Sequence, residues 1–322
     1  MLRDYPLLHD DIALGLRGRD LVSVQDLSVE EIYRIFHIAS VLKSDTRSGV
    51  PHRVLEGKSL GMIFKKHSTR TRVSFEVGIW QLGGHGLFLS ADDIQMSRGE
   101  SISDTAEVLS RYLDGIMIRT YSHDEVVQLA ESASVPVING LTDLLHPCQA
   151  LADLFTAFEK KGNLSGLKLA FIGDGNNVAN SLLVAGAKLG VNVSVASPPG
   201  YEPQPFIVDR VMSYAAESGS RIEIIHDPVE AAKHADIVYT DVWASMGHEL
   251  ERVQREKSFA GYQVNGELMA VAKPDALVMH CLPAHRGEEI TAEVIDGPNS
   301  VVLDEAENRL HVQKAVMVLL ML

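Results

Sequence analysis

Short apolar runs punctuate the chain and alternate with stretches whose apolar residues recur every three or four positions. In the first half the runs are SLGMIF (59–64), HGLFLS (85–90), GIMIRT (115–120) and VPVING (135–140), with helical periodicity between them at 70–82, 102–113 and 123–132. In the second half they are LKLAFIG (167–173), NVSVAS (192–197), RIEIIH (221–226), DIVYTD (236–241), ALVMH (276–280) and SVVLD (300–304), again separated by helix-like segments. Runs that are apolar throughout suit strands covered on both faces, and their alternation with helices suits parallel pairing. The pattern predicts an α/β protein of two domains, each a mostly parallel sheet flanked by helices. Ligands are expected at strand C-termini, in a cleft between the domains. The helical stretch CQALADLFTAFEKK (148–161) lies between the two series and is ended by Gly162-Asn163. The first domain is therefore expected over 1–150, joined by a C-terminal helix 305–322. The second is expected over 151–304, entered through the helix 148–161.

Composition narrows the function classes more than the fold. With 43 acidic and 29 basic residues the net charge is −14, which opposes a long-range positive field, and no aromatic residues are interleaved with the basic ones. Nucleic-acid binding is thereby disfavoured. The start, MLRDYPLLHDD, is acidic where a secretory signal is apolar and a transit peptide basic. The apolar tail AVMVLLML is too short to span a bilayer, so the expected location is the cytoplasm, with no membrane partner. Cys148 and Cys281 make neither a disulfide framework nor a CxxC metal pair.

Against this acidic background, KKHSTRTRVSFE (65–76) gathers four Lys and Arg residues within eight positions. It joins a strand to a helix whose Val73, Val77 and Trp80 fall at i, i+4 and i+7. Such a turn presents unpaired backbone N–H groups and the positive end of the helix dipole. Ser68 and Thr69 add hydroxyls, and Arg70 and Arg72 add planar forks that suit phosphate oxygens. A plain N-cap in a solvated loop is the alternative. The glycines of a Walker loop are missing, which points to a small phosphorylated metabolite rather than a nucleotide.

Other polar clusters sit at strand ends. GDGNN (173–177) opens a βαβ unit, but the third glycine of a dinucleotide fingerprint is Val178, and no acidic residue stands near 195–197. Asn176 and Asn177 are either helix caps or contacts to a polar ligand. HPCQ (146–149) sets Pro147 in a first helical turn and aims His146 and Gln149 either at a carbonyl or nowhere in particular. His280, Cys281 and His285 in HCLPAHRGEE suggest a metal, yet their spacing fits no standard zinc pattern, so no metal and no cofactor is expected. Asp241, beside Trp243 and Met246, is a surface carboxylate or the anchor of a substrate amine.

Taken in order, STRTR (68–72), QMSRGES (95–101), Ile118-Arg119-Thr120, HPCQ, GDGNNV, DVWASMG, HCLP and EAENR (305–309) resemble the carbamoyltransferases, most closely their ornithine-specific branch. The likeness runs from about Leu21 to the C-terminus. It implies a transferase that moves the carbamoyl group of carbamoyl phosphate to the δ-amine of L-ornithine, giving citrulline within arginine metabolism. The resemblance further implies that Ser68, Thr69, Arg70 and Thr71 hold the phosphate, with Arg309 completing the anion site. Arg119, His146 and Thr71 would face the carbonyl oxygen, and Gln149 with the backbone of Cys281 and Leu282 the carbamoyl NH₂. Asn177, Asp241, Ser245 and Met246 would recognise ornithine, with Cys281 near its side-chain amine. Gln95 matches a loop that reaches a neighbouring subunit, which implies a homotrimer with shared sites. Ser97 stands where a glycine is expected in that loop. The aspartate-specific branch has His-Pro-Leu-Pro-Arg where this chain has HCLPAH. Putrescine is the alternative acceptor amine.

Overall fold

The computed structural model describes residues 8, 10–91, 94, 99–244 and 251–322, which form two compact units. One comprises Met1–Leu151 with Glu307–Leu322, and the other Ala152–Ala306.

The first unit contains α1 (Asp11–Leu16), α2 (Val29–Arg47), β1 (Ser59–Phe64), α3 (Thr69–Gln81), β2 (His85–Ser90), α4 (Ile102–Leu109), β3 (Gly115–Arg119), α5 (His123–Ser132) and β4 (Val137–Leu141). Its sheet runs β2-β1-β3-β4, and every pairing is parallel. β3 is buried at all five positions, as a central strand between helix layers must be. Next in the chain comes α6 (Pro147–Lys161).

The second unit contains β5 (Lys168–Ile172), α7 (Asn177–Lys188), β6 (Asn192–Ala196), α8 (Pro205–Ser218), β7 (Ile222–Ile225), α9 (Pro228–Ala232), β8 (Ile237–Thr240), α10 (Arg252–Ser258), α11 (Gly266–Met269), β9 (Leu277–His280) and α12 (Ala292–Ile295). Its sheet is also parallel, in the order β7-β6-β5-β8-β9. The order reverses direction beside β5, the switch point at which open α/β sheets bind ligands. The chain closes with α13 (Val302–Met321).

One expected strand is absent. SVVLD contributes only a bridge from Ser300 to Val278, and α13 begins at Val302. A five-residue apolar run cannot distinguish a buried strand from the entry of a buried helix. Here Val301 and Val302 are buried while Leu303 is 77% exposed, a helical sidedness.

α3 also turns the other way from the simplest reading of its periodicity. Its core face is Thr71, Phe75, Gly78 and Ile79. Val73, Val77 and Trp80 point outward, Trp80 at 73% exposure, and Phe88 of the edge strand β2 is exposed as well.

In the β5–α7 turn, Gly175 has a packing reason. A Cβ there would stand 2.2 Å from the Pro203 nitrogen, so only glycine lets the turn approach the 202–203 backbone.

Candidate active site

Building the first unit's site starts with Ser68, the N-cap of α3, whose hydroxyl accepts from the Thr71 N–H at 3.2 Å. This cap places Thr71, wholly buried, against two guanidiniums delivered by distant parts of the chain. Arg309 of α13 donates to Thr71 Oγ1 at 2.8 Å, and Arg119, at the end of β3, donates at 3.4 Å. A hydroxyl carries two acceptor lone pairs and one hydrogen. Both lone pairs of Thr71 face guanidinium N–H groups, and among the described residues no acceptor takes its hydrogen.

His146, buried just before α6, belongs to the same cluster. Burial, followed by the charges of Arg309, Arg119 and Arg70, holds its imidazole well below the ordinary histidine range. It is neutral at physiological pH and leaves the positive charge to the arginines. Gln149 lies buried in the first turn of α6, one turn from His146, and Thr69 is exposed at the mouth of α3.

The basic run 65–72 divides by task. Lys65 pairs with Glu125 at 2.7 Å, Lys66 with Asp143, and Arg72 with Glu76 at 3.4 Å while stacking on the Phe88 ring. Arg72 is therefore committed elsewhere, and Arg70 is the member of the run whose charge reaches His146.

The second unit presents the opposite sign. Asp241, at the end of β8, accepts from Asn176 Nδ2 at 2.7 Å, from the Cys281 thiol at 3.0 Å and from the Val242 N–H at 2.8 Å. Asn176 also caps α7 through its oxygen. Burial, then the Asp241 charge, pushes the Cys281 thiol well above its ordinary range, so it remains a thiol and not a nucleophilic thiolate. Beneath this loop, Glu305 accepts from the His280 N–H at 3.0 Å and from Tyr239 Oη at 3.1 Å. Burial and the adjoining Asp153 push the Glu305 carboxyl well upward, so this acidic pair holds a proton between them.

Comparison with known proteins also divides the chain in two. Residues 19–159 match the domain described as "Aspartate/ornithine carbamoyltransferase, carbamoyl-P binding domain", and residues 165–320 match its "Asp/Orn binding domain". The ornithine carbamoyltransferase of Thermococcus kodakarensis is 61% identical over 310 residues, covering 96% of this chain and 98% of that protein. That of Symbiobacterium thermophilum is 62% identical, covering 95% and 99%. The solved ornithine carbamoyltransferase of Pyrococcus furiosus superimposes with a TM-score of 0.93 at 59% identity, covering 95% of this chain and 98% of the other. The chain belongs to the aspartate/ornithine carbamoyltransferase family.

Of the positions suggested by the family motifs, Ser68, Arg70, Thr71, Arg119, His146 and Arg309 come together in the first unit. Asp241 and Cys281 meet in the second, and Asn177 begins α7 beside them, next to Asn176. Leu282 follows Cys281 in the same turn. Gln95, Ser245 and Met246 lie outside the described residues. The carbamoyltransferase motifs did not single out Asn176, which supplies the side chain that reaches Asp241. They also passed over Arg255, which donates to Asp174 Oδ2 at 2.7 Å and to the Trp243 carbonyl at 2.9 Å. The doubled asparagine after GDG signalled the first, whereas nothing local in REKS signalled the second.

Proposed function

We propose that this carbamoyltransferase transfers the carbamoyl group of carbamoyl phosphate to the δ-amine of L-ornithine, yielding L-citrulline and phosphate. The carrying observation is the convergence of two guanidiniums on the Thr71 hydroxyl beside a neutral His146, a set of donors suited to a phosphorylated carbonyl compound. The first unit binds the donor: Ser68, Thr69, Arg70, Thr71 and Arg309 take the phosphate. Arg119, His146 and Thr71 donate to the carbonyl oxygen. Gln149, with the backbone of Cys281 and Leu282, takes the carbamoyl NH₂, and Gln95 belongs to the same set.

Asn177, Asp241, Ser245 and Met246 of the second unit bind ornithine. Asp241 favours an amine and repels the side-chain carboxylate of aspartate, which supports the ornithine branch. The neutral amine attacks the carbamoyl carbon, forming a C–N bond. The carbon–oxygen bond to phosphate then breaks with its electron pair, and the proton lost from the attacking nitrogen leaves on phosphate. An alkyl ammonium of pKa about 10.4 costs roughly 4.6 kcal/mol to deprotonate at pH 7, part of which desolvation offsets. Each preorganised donor to the developing oxyanion contributes on the order of 3 kcal/mol. Cys281, as a thiol hydrogen-bonded to Asp241, positions the amine and forms no covalent intermediate.

The outward stripe of Val73, Val77, Trp80 and Phe88 supports a homotrimer, since a lone subunit rarely leaves such a surface in water. Among the described residues no helix is long and apolar enough to cross a membrane. A cytoplasmic role in arginine metabolism belongs to the same proposal. A ureido-product assay with carbamoyl phosphate and, separately, ornithine, putrescine, N-acetylornithine and aspartate tests the reading. Product with ornithine at least tenfold above the others is expected, and preference for any other amine refutes it.

A further inference from the structure

The mechanism above leaves His280 and Glu289 unused, although both are wholly buried beside the reacting loop. His280 ends β9 and is held at three atoms. Its backbone N–H donates to Glu305 at 3.0 Å, its Nδ1 accepts from the Leu282 N–H at 2.9 Å, and its Nε2 stands 3.2 Å from Glu289 Oε1. Because Nδ1 accepts, the ring hydrogen sits on Nε2 and donates to Glu289. Burial alone would raise the Glu289 carboxyl. The bonds from His280 and from the His285 N–H outweigh it and hold the group below its ordinary value, as a carboxylate. The residue held by this chain of bonds is Leu282, at φ 58°, a left-handed conformation that side chains other than glycine seldom adopt. A turn of that kind keeps its shape only when its surroundings fix it.

We infer that His280 and Glu289 are positioning residues. Glu289 fixes the tautomer and plane of His280, and His280 fixes the Cys281–Leu282 turn, so that the thiol meets Asp241 and the Leu282 backbone meets the carbamoyl NH₂. This rests on the function proposed above. Neither residue touches substrate, and the phosphate is held elsewhere. Loosening the turn therefore misaligns the carbamoyl group without releasing the donor, which lowers kcat and spares KM.

Two substitutions of one residue separate positioning from bulk stability. In His280→Asn the side-chain oxygen occupies the place of Nδ1 and still accepts from Leu282. In His280→Gln the polar atoms fall near Nε2 and that bond is lost. His280→Gln is expected to lower kcat 10- to 100-fold with KM for carbamoyl phosphate within threefold, and His280→Asn to recover at least fivefold of that loss. Equal activity of the two variants, whether both impaired or both normal, overturns the inference. Histidine ¹⁵N spectra of the wild-type protein, with His280 assigned through the Leu282 amide, should show the ring hydrogen on Nε2 and the lone pair on Nδ1. An Nδ1-protonated ring overturns the inference even if no variant folds. Wild-type protein that forms no citrulline overturns the functional reading itself, whereas active wild type with equal variants overturns only the positioning role.

Discussion

Replacing Thr71 with valine tests the centre of the donor site with a single removed hydroxyl. Thr71 is wholly buried, so the substitution keeps the side chain's shape and deletes one oxygen. Lost with it are the 2.8 Å acceptor for Arg309, the weaker 3.4 Å acceptor for Arg119, and the hydrogen proposed above to serve the carbamoyl oxygen. A hydrogen bond to a charged partner contributes about 1.5–3 kcal/mol, and the longer contact adds little. At 1.36 kcal/mol per decade, kcat/KM should fall roughly 10- to 150-fold. Its division between the two constants is diagnostic. If the hydrogen serves the developing oxyanion, kcat takes the loss, whereas a hydroxyl that only arranges guanidiniums around bound phosphate raises KM instead. The oxyanion role predicts the first pattern. The measurement is citrulline formation at saturating ornithine with carbamoyl phosphate varied. Thr71→Ser serves as the control that restores the hydroxyl, and thermal unfolding verifies the fold. A folded Thr71→Val enzyme within threefold of wild type refutes the reasoning.

The same geometry makes three further predictions. Asp241→Asn can keep the oxygen that accepts from Cys281 and the Val242 N–H, but it turns an NH₂ toward Asn176 and removes the charge proposed to draw the amine. Ornithine KM should rise roughly 10- to 150-fold, the scale of a lost charge-assisted bond, while KM for carbamoyl phosphate stays within threefold, as initial rates over both substrates would check. His311 is buried in α13, and its pKa is lowered to about 3 by burial and then by the charges of Lys314, Lys43, Arg47 and His52. Its stabilising effect is complete above the unfolded value of about 6.5 and is lost as pH falls toward the folded one, at about 1.4 kcal/mol per pH unit. His52, His123 and His146 shift the same way. Urea unfolding followed by Trp80 in a Trp243→Phe background should show the first unit losing at least ~2 kcal/mol between pH 6.5 and 5. A flat profile would contradict the burial of neutral histidines. Trp80→Glu places a charge in the exposed stripe of α3 and should shift the molecular mass found by light scattering from trimer to monomer; an unchanged mass removes α3 from the interface.

How far the sequence disclosed all this depends on whether the deciding contact was local. Strands announced by apolar runs between turns were found within a residue or two, because a run that short and bounded by turn residues leaves few other readings. SVVLD misled because the same composition also begins a buried helix. The Val73–Val77–Trp80 periodicity was real, but periodicity gives only the angle between faces and not which one meets the sheet. Gly78 settles that: a Cβ there would stand 3.0 Å from Met317 of α13, so the face that carries Gly78 is the packed one. The strand-to-helix turn was legible from 65–72 alone. Its division of labour was not, since Glu125 and Asp143, which engage Lys65 and Lys66, lie 60 and 77 positions away. Arg309, 238 positions from Thr71, became visible only through family resemblance.

The two sites also explain how an acidic chain sorts two small substrates of opposite charge. In the proposed reading a carbamoyl phosphate dianion meets three guanidiniums beside a neutral His146, while the neighbouring lysines are paired with their own carboxylates. An ammonium group would be repelled there. In the second unit the facing group is Asp241, which accepts from three neutral donors and has no cation among them. Such a group rejects the dianion and admits the amine. Meanwhile burial and Asp153 push the deeper Glu305 upward, so the two carboxyls share a proton and support the loop with one charge between them rather than two. Each unit therefore exposes one sign and neutralises the groups around it. That arrangement needs few charges, provided that each is fixed by hydrogen bonds rather than left to solvent.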